Sequence, residues 1–261
     1  MDKSTLVRLF GFAATVLHGD PGVLDRWLWV RTRLPKTCNA ERIIDVGCGS
    51  GAFSIGAALR GYEALGLSWD ERNQRVAAER AGICNAHTAK FQVLDVRHLD
   101  TRHELRGVFA VALCLEVIEH VLDDRKLMRD VAACLKPGGR LILTTPYLLN
   151  RAITGPDNGP WSTVGDGGHV RRGYTEMMLR ELCAQANLLP EAISFGSGFI
   201  SQEVTLIQRM FARIHPLVGW AVALPFRALQ VVDRPVTRLL GWPYFSIRLE
   251  AYKPRFRVDA G

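Results

Sequence analysis

The sequence predicts an α/β fold in which a mostly parallel sheet carries helices on both faces. Two observations support this prediction. From about residue 41 short apolar runs alternate with helix-like segments, and several runs are apolar throughout, as strands buried on both faces are. The first run ends in a glycine-rich turn that leads into a helix, so backbone N–H groups at the helix start can face a ligand.

The alternating region predicts six strands and four helices. The strands are expected at residues 42–46, 64–67, 90–94, 108–115, 140–145 and 245–252. The helices are expected at residues 53–60, 71–80, 123–135 and 175–187. Parallel neighbours need crossover connections, and the helical segments supply them.

Three regions follow from these elements. Residues 1–40 form an N-terminal helical segment with a break near Pro21, and residues 41–200 form the core. Residues 201–261 hold an apolar, basic helical insertion, broken at Pro216, Pro225 and Pro235, and a closing strand. Within the core, residues 147–173 are rich in Gly, Pro, Asp and Asn, which predicts a functional loop such as a lid.

Composition favours one globular domain with an appended segment. The 261 residues are 48% hydrophobic and 23% charged. The six cysteines form no C-x-x-C pair, which predicts a reducing compartment with neither disulfides nor a zinc site. No apolar run reaches the roughly 18 residues of a membrane span, and no signal cleavage site is recognisable, so a cytoplasmic location is expected.

The positive charge is concentrated near the C-terminus. The net charge is +7, and residues 206–261 carry nine Lys or Arg against three Asp or Glu. Arginines alternate there with Trp, Leu and Phe, which fits an element at 205–243 lying on a membrane surface. A helical cap packed on the sheet, or a dimer face, fits equally well. The segment is too apolar for a nucleic-acid-binding arm, so a nucleic-acid partner is not expected.

The glycine turn is Asp45-Val46-Gly47-Cys48-Gly49-Ser50-Gly51. By itself it is ambiguous, because Gly47, Gly49 and Ala52 also fit the dinucleotide pattern G-x-G-x-x-G/A. Two residues favour a different family: Asp45, which lies two positions before the first glycine, and Gly51, which is the third glycine.

With three further segments, this turn resembles the motifs of class I S-adenosylmethionine-dependent methyltransferases, in particular ubiquinone-biosynthesis O-methyltransferases. The segments are Gln92-Val93-Leu94-Asp95-Val96, Leu113-Cys114-Leu115-Glu116-Val117-Ile118-Glu119-His120 and Leu135-Lys136-Pro137-Gly138-Gly139. The resemblance covers roughly residues 40–190. It implies a Rossmann-like fold with a seven-stranded, mostly parallel sheet and a C-terminal helical insertion before the last strand.

The resemblance also implies S-adenosylmethionine as cofactor. Asp45 would face its amino-acid end, and Asp95 would accept a hydrogen bond from the adenine amino group. The full set assigned to the cofactor is Asp45, Gly47, Cys48, Gly49, Gly51, Ser68, Asp70, Asp95, Val96, Leu115 and Glu116. One position departs from the family: Ser68 stands where an acid usually holds both ribose hydroxyls. Either Asp70 replaces that acid or ribose binding is weaker; Asp70 as a plain helix N-cap is the alternative.

The segment Glu116 to His120 resembles the E-x-x-E-H of ubiquinone-biosynthesis and small-RNA 2′-O-methyltransferases. In those families the acids and histidine, with a later histidine, can hold a divalent metal. The resemblance therefore implies Glu116, Glu119, His120 and His169 as ligands of Mg²⁺ or another divalent metal. Without metal, His120 or His169 is a candidate general base beside Glu119. A third possibility is that Glu119 and His120 only orient the chain under the cofactor.

The predicted reaction is O-methylation of a hydroxyl on a small or lipid-linked acceptor. Arg171, Arg172 and Tyr174 are candidates to meet an anionic or aromatic acceptor. RNA 2′-O-methylation and a non-catalytic cofactor-binding protein stay open as alternatives. A dehydrogenase would leave Asp45, Asp95 and the E-x-x-E-H segment unexplained. The sequence does not predict the oligomeric state.

Overall fold

The computed structural model describes residues 4–17, 20–151 and 159–255. Its seven-stranded sheet has the order β3-β2-β1-β4-β5-β7-β6. The strands are β1 Arg42–Val46, β2 Glu63–Ser68, β3 Ala89–Val93, β4 Phe109–Leu115, β5 Leu135–Pro146, β6 Leu189–Gly196 and β7 Ser246–Tyr252. Of these strands only β7 runs antiparallel to its neighbours. The predicted α/β class and the seven-stranded, mostly parallel sheet are confirmed.

Ten α-helices accompany the sheet within the described residues. They are α1 Thr5–Phe10, α2 Phe12–Leu17, α3 Pro21–Val30, α4 Ala52–Ala58, α5 Glu71–Ile83, α6 Asp124–Cys134, α7 Glu176–Gln185, α8 Phe199–Ala212, α9 Pro216–Arg227 and α10 Asp233–Leu240. Short 3₁₀ turns complete the connections, including one at Ile118–His120. None of the helices in the described part reaches the length and hydropathy that a bilayer span requires.

Two apolar cores lie on the two faces of the sheet. Successive residues of β1 alternate between them: Ile44 and Val46 pack in the core with α6 and α7, and Ile43 in the core with α3 and α4. Ile43 and Ile44 are fully buried, and such burial stabilises a fold by about 1.5–3 kcal/mol per side chain. Burial on both faces explains why these strands are apolar throughout.

The sequence predicts no strand at β6, because Pro190 follows the predicted helix 175–187 and is typical of a helix end. In the structure Pro190 lies at the start of β6, which pairs only with β7. Proline is tolerated on an edge strand, since a missing N–H on the solvent side breaks no ladder. The predicted helix at 175–187 is shorter, as Thr175 caps its first turn and α7 ends at Gln185.

The C-terminal insertion consists of α8, α9, a 3₁₀ turn at Ala228–Val232 and α10. The predicted break at Pro225 was wrong: this proline lies inside α9. Pro216 is at the first position of α9. The backbone N–H at that position has no partner within the helix whatever the residue, so a proline there removes no helical hydrogen bond. After α10 the chain returns as β7, which inserts between β5 and β6.

The N-terminal helices α2 and α3 pack against each other and against α4 through aromatic contacts. The ring of Trp27 lies 5.2 Å from that of Phe12 and 6.3 Å from that of Phe53. Asp20 is the N-cap of α3, and its carboxylate accepts a hydrogen bond from Gly22 N at 2.7 Å. A buried ion pair joins Asp25 of α3 to Arg248 of β7 at 2.5 Å, and this pair holds α3 against β7. Residues 18–19, next to the predicted break, lie outside the described residues.

Candidate active site

Two neighbouring cavities lie where β1 and β4 end, at the carboxyl edge of the parallel strands, the usual ligand position in such sheets. The first, the glycine-turn cavity, has a volume of about 330 Å³ and the second, the histidine cavity, about 260 Å³. Glu116 and His120 line both. A molecule in one cavity therefore lies against the same two side chains as a molecule in the other.

The glycine-turn cavity is lined by Gly47, Gly49, Ser68, Trp69, Asn73, Asp95, Val96, Arg97, Glu116, Val117, His120, Val121, Gly165, Asp166 and Gly167. Gly47, Gly49 and Gly51 all have positive φ. A Cβ on Gly47 would lie 2.5 Å from Val117 Cγ2, and one on Gly51 would lie 2.8 Å from Ala77 Cβ, so packing requires both glycines. A Cβ on Gly49 would meet nothing within 4 Å, because this glycine faces open space.

The other residues assigned to this end lie outside the cavity lining. Cys48 is buried with its Sγ 3.8 Å from Gln74 Oε1, and Leu115 is buried at the end of β4. Asp45 lies beneath the turn, where its carboxylate accepts a hydrogen bond from Ser54 Oγ at 2.6 Å. Burial raises the pKa of Asp45 to about 6.

That pKa makes cofactor binding depend on pH if Asp45 faces the cofactor's ammonium group. The carboxyl is protonated below pH 6 and ionised above it. We expect the affinity for S-adenosylhomocysteine to be constant above about pH 7 and to fall about tenfold per pH unit below pH 6, because a proton competes with the ammonium. Calorimetric titrations from pH 5 to pH 8 measure this affinity. Asp45→Asn should bind S-adenosylhomocysteine weakly at every pH, and its affinity should not fall below pH 6. If the affinity of Asp45→Asn still falls below pH 6, Asp45 is not the group that faces the cofactor's ammonium.

Ser68, Trp69 and Asn73 line the cavity beyond the glycine turn, while Asp70 does not. The Asp70 carboxylate caps α5, accepting from Arg72 N at 2.8 Å and Asn73 N at 3.3 Å. The structure therefore shows Asp70 as the N-cap of α5. The hydroxyl of Ser68 and the amide of Asn73 are the polar groups at this wall.

Trp69 is an aromatic wall that the sequence interpretation did not assign. Its side chain is 65% exposed although it lines the cavity, which leaves the indole face open to a planar ligand. Stacking of a base on an aromatic ring contributes about 1–3 kcal/mol. We therefore expect Trp69→Ala to weaken S-adenosylhomocysteine binding at least about fivefold, and Trp69→Phe to weaken it less. Calorimetry measures both; unchanged affinity in Trp69→Ala contradicts stacking.

Asp95 and Val96, both predicted, line the same cavity next to Ser68, because β3 pairs with β2 up to Val93. The Asp95 carboxylate pairs with the Arg97 guanidinium at 2.5 Å, and this hydrogen bond lowers the pKa of Asp95. Arg97 also donates to Gly165 O at 3.0 Å. Gly165 belongs to the predicted lid loop, so this contact draws the described part of the loop over the cavity. Residues 152–158 of that loop lie outside the described residues.

The histidine cavity is lined by Asp20, Gly22, Arg26, Glu116, Glu119, His120, Pro146, His169, Ser197, Ser201, Gln202, Thr205, Arg209 and Phe245. One carboxylate oxygen of Glu119 and one ring nitrogen each of His120 and His169 lie within 4.8 Å of one another. The two imidazole rings are 4.6 Å apart, nearly perpendicular. The structure thus brings together three of the four predicted metal ligands, while Glu116 stands outside that group.

Glu119 is held rigidly at the bottom of the site. Its side chain is fully buried and accepts a hydrogen bond from Thr145 Oγ1 at 3.1 Å. Burial, and next the charge of Glu116, raise the pKa of Glu119 well above its ordinary value. Glu119 Oε1 and His120 Nδ1 are buried without a hydrogen-bond partner in the described part of the chain. Buried polar atoms are normally satisfied, so these two atoms are consistent with a ligand or a cation bound at this cluster.

Backbone contacts fix His169 opposite His120. Val170 N donates to Glu119 O at 2.9 Å, and Arg171 donates to the carbonyls of Val121 and Leu122 at 2.9 Å and 2.8 Å. Arg171 also pairs with Asp124, and the buried Tyr174 hydroxyl donates to the same carboxylate at 2.7 Å. Arg171 and Tyr174, candidates for acceptor binding in the sequence, therefore fasten the loop to the E-x-x-E-H turn instead.

The fold and these two cavities define a Rossmann-like protein of the methyltransferase class, and comparison with known proteins gives the family. A family model described as a methyltransferase domain matches residues 23–191. The chain therefore belongs to this methyltransferase family, and it is of the S-adenosylmethionine-dependent class that its motifs predict. The matched range begins in α3 and ends in β6, so it contains the whole glycine turn and the E-x-x-E-H segment.

Curated relatives carry a more specific name. The chain is 35% identical over 105 residues to the ubiquinone biosynthesis O-methyltransferase of Marinobacter nauticus, covering 40% of this chain and 44% of that protein. It is 31% identical over 123 residues to the protein of the same name from Bordetella avium, covering 47% of this chain and 48% of that protein. The chain thus matches less than half the length of these relatives.

Solved structures support the fold alone, since their identities are low. The [4+2]-cyclase SpnF has a TM-score of 0.63 at 18% identity, with 97% of this chain and 94% of that chain covered. Geranyl diphosphate C-methyltransferase from Streptomyces coelicolor, solved with Mg²⁺ and S-adenosyl-L-homocysteine, has a TM-score of 0.58 at 17% identity, with 87% and 75% covered.

Proposed function

We propose that the protein transfers the methyl group of S-adenosylmethionine to a hydroxyl of a small or lipid-linked acceptor. The observation that carries this proposal is the pair of cavities that meet at Glu116 and His120. The cofactor would occupy the glycine-turn cavity and the acceptor the histidine cavity. In that arrangement an acceptor oxygen would lie beside the sulfonium methyl group and beside two imidazoles.

In the proposed reaction, the acceptor oxygen attacks the methyl carbon in line with the departing sulfur. The C–O bond forms as the C–S bond breaks, the sulfur keeps the bonding electrons, and S-adenosylhomocysteine leaves. His120 or His169 takes the hydroxyl proton, since an imidazole is the side chain whose ordinary pKa lies nearest neutral pH. The protein's main contribution is to hold the two reactants in contact.

The same cluster is suited to a divalent cation. Carboxylate and imidazole are a common ligand set for metals such as Mn²⁺, Fe²⁺ and Zn²⁺. Here a carboxylate oxygen of Glu119 and one ring nitrogen of each histidine would provide the donors. Glu119, His120 and His169 would hold the ion, with Glu116 nearby. Such an ion would lower the pKa of a bound hydroxyl.

A titration of S-adenosylhomocysteine by calorimetry is the first test. Micromolar binding followed by turnover on a panel of phenols and hydroxylated lipids supports the proposal, whereas binding without turnover points to a non-catalytic protein. Assays after chelation, with elemental analysis, decide between the metal and the metal-free base. If elemental analysis finds no metal after chelation and the activity is unchanged, the metal hypothesis is contradicted.

The C-terminal insertion supports a contact with an anionic membrane surface. Its exposed apolar side chains are Met210, Phe211, Ile214, Leu217, Val218, Phe226, Leu229, Val231, Val232, Leu239 and Leu240. So many exposed apolar side chains in one segment are typical of an interaction surface. Arg209, Arg213, Arg234 and Arg238 are exposed in the same segment, which complements an anionic bilayer. Arg227, in contrast, is buried, and burial lowers its pKa to about 10.

Flotation with vesicles tests this contact. The protein should float with phosphatidylserine-containing vesicles at low salt, and a variant with Arg234→Glu and Arg238→Glu should not. Arg75→Glu on the exposed face of α5 is the matched control and should float normally. Wild-type protein that stays at the bottom of the gradient contradicts the membrane contact, and an apolar dimer face becomes the better interpretation.

A further inference from the structure

Asp166 is an acid of the predicted lid loop, and it lines the glycine-turn cavity together with its two neighbours in the chain, Gly165 and Gly167. Gly165 O accepts a hydrogen bond from Arg97 at 3.0 Å. A Cβ on Gly167 would lie 3.5 Å from Trp69 Cζ2. Asp166 therefore stands between a residue that is bound to Arg97 and a residue that lies against Trp69.

Hydrogen bonds within the loop hold the Asp166 carboxylate in place. Gly168 N donates to Asp166 Oδ1 at 3.1 Å, and the Ser162 side chain donates to the same carboxylate. Ser162 N also donates to His169 O at 2.8 Å. The bond from Ser162, and next the bond from Gly168 N, lower the pKa of Asp166, so this side chain is ionised at neutral pH. An ionised carboxylate has about four acceptor sites, so these bonds leave sites for further donors.

The ionisable side chains that line the glycine-turn cavity are Asp95, Arg97, Glu116, His120 and Asp166. Asp95 pairs with Arg97 at 2.5 Å, and Glu116 lies 3.7 Å from Arg26. Asp166 is the acid of this lining that has no ion pair among the described residues. Its carboxylate is therefore available to a neutral donor in the cavity, such as a hydroxyl group.

S-adenosylmethionine carries two neighbouring hydroxyls on the ribose that joins its adenine to its amino-acid end. If the adenine stacks on Trp69 and the amino-acid end lies at the glycine turn, the ribose lies between them, beside Ser68. Ser68 Oγ already accepts a hydrogen bond from Asp70 N at 3.3 Å. The Asp70 carboxylate is used as the cap of α5. This part of the cavity therefore needs a stronger acceptor than one hydroxyl to hold two ribose hydroxyls.

We propose that Asp166 accepts a hydrogen bond from a ribose hydroxyl of the cofactor, and so takes the place of the acid that Ser68 does not provide at the end of β2. A hydrogen bond to an ionised acceptor is stronger than one between neutral groups. The lid loop thereby becomes part of the cofactor site. This inference rests on the proposed function for the cofactor and its cavity, and it does not depend on which acceptor is methylated.

Calorimetry with S-adenosylhomocysteine and its 2′-deoxy and 3′-deoxy analogues tests the proposal, since each analogue lacks one ribose hydroxyl. For the wild-type protein we expect at least one analogue to bind about tenfold more weakly than the parent compound, the loss typical of a hydrogen bond to a charged group. In Asp166→Ala this difference should shrink to less than about threefold, because the acceptor is removed. Asp166→Asn should show an intermediate difference, since its carbonyl oxygen accepts without a charge.

Ser162→Ala is the matched control, because it removes a hydrogen bond to Asp166 without removing a residue of the cavity lining. It should keep the wild-type difference between parent and analogue. If Asp166 only closes the loop, Asp166→Ala weakens the parent and the analogues by the same factor, which overturns the proposal. A difference that survives in Asp166→Ala and disappears in Ser68→Ala overturns it as well, and so does a wild-type protein that binds all three compounds equally.

Failure of the proposed function gives a different result in the same experiment. A wild-type protein that binds no S-adenosylhomocysteine contradicts the cofactor assignment, and the inference about Asp166 is overturned with it. A wild-type protein that binds S-adenosylhomocysteine without the expected effect of Asp166→Ala overturns the inference alone.

Discussion

Replacing His120 or His169 with alanine is expected to lower kcat by about two to four orders of magnitude, the usual contribution of a positioned general base. In His169→Ala the affinity for S-adenosylhomocysteine should stay within about threefold, because His169 does not line the glycine-turn cavity. His120 lines both cavities, so a larger loss of cofactor affinity is expected in His120→Ala than in His169→Ala. Initial rates with the first acceptor found, together with calorimetry, measure the two quantities.

The pattern across variants separates the three roles considered for this cluster. A metal site predicts that His120→Ala, His169→Ala and Glu119→Gln all lose both activity and bound metal. A metal-free base predicts that one histidine variant loses activity, recovers part of it with added imidazole, and that chelators have no effect. His87→Ala is the control, since His87 is exposed and lines neither cavity. Wild-type kcat in both histidine variants contradicts both catalytic roles and leaves the structural one.

Much of the site could be predicted because its residues follow strands in fixed order. The glycine turn and the segment from Glu116 to His120 come directly after the buried strands β1 and β4, and Asp95 comes two residues after the edge strand β3. Parallel strands bring their carboxyl ends to one edge. His169 joins this edge because Val170 and Arg171 bind the backbone of the E-x-x-E-H turn. His169 could be predicted as a site residue only from the family resemblance, since its loop has no periodicity that would indicate where it lies.

The residues that sequence reasoning missed reach the site through tertiary packing. Arg26 lies ninety positions before Glu116, and only the docking of α3 beside β7 brings them within 3.7 Å. Trp69 could have been noticed in the sequence, because it follows the predicted strand 64–67 at the edge where ligands bind. The structure shows that this large aromatic side chain is exposed, which is unusual. Asp70 was ambiguous for a local reason: the same carboxylate at a helix start serves as an N-cap or as a ligand. The hydrogen bonds to Arg72 and Asn73 favour the cap.

Removal of the Asp233 carboxylate is expected to be the most destabilising single change in the insertion. Asp233, 4% exposed at the start of α10, accepts hydrogen bonds from Gly198 N, Ile200 N, Ser201 Oγ and Thr237 Oγ1 at 2.7–3.1 Å. The N-cap residue of α8 is Gly198, which has no side chain, so α10 supplies the cap for α8.

Asp233→Ala leaves these buried donors unsatisfied, and each such donor costs about 1–3 kcal/mol. We expect the free energy of unfolding, measured by urea denaturation, to fall by at least about 4 kcal/mol, which is four donors at the low end of that range. Asp233→Asn should lose less, because its carbonyl oxygen still accepts. Glu71→Ala, which removes an exposed pair with Arg75, is the control and should change stability by less than about 0.5 kcal/mol.

Hydrogen exchange adds a positional test, since α8 forms a wall of the histidine cavity and contributes nothing to the lining of the glycine-turn cavity. In Asp233→Ala the amides of α8 should lose protection while S-adenosylhomocysteine affinity is preserved. A fall in stability below about 1 kcal/mol, with α8 still protected, would mean that water replaces the carboxylate and that the insertion holds its shape by apolar packing. Because the acceptor is proposed to bind against α8, loss of acceptor affinity at unchanged cofactor affinity is the functional consequence expected of this variant.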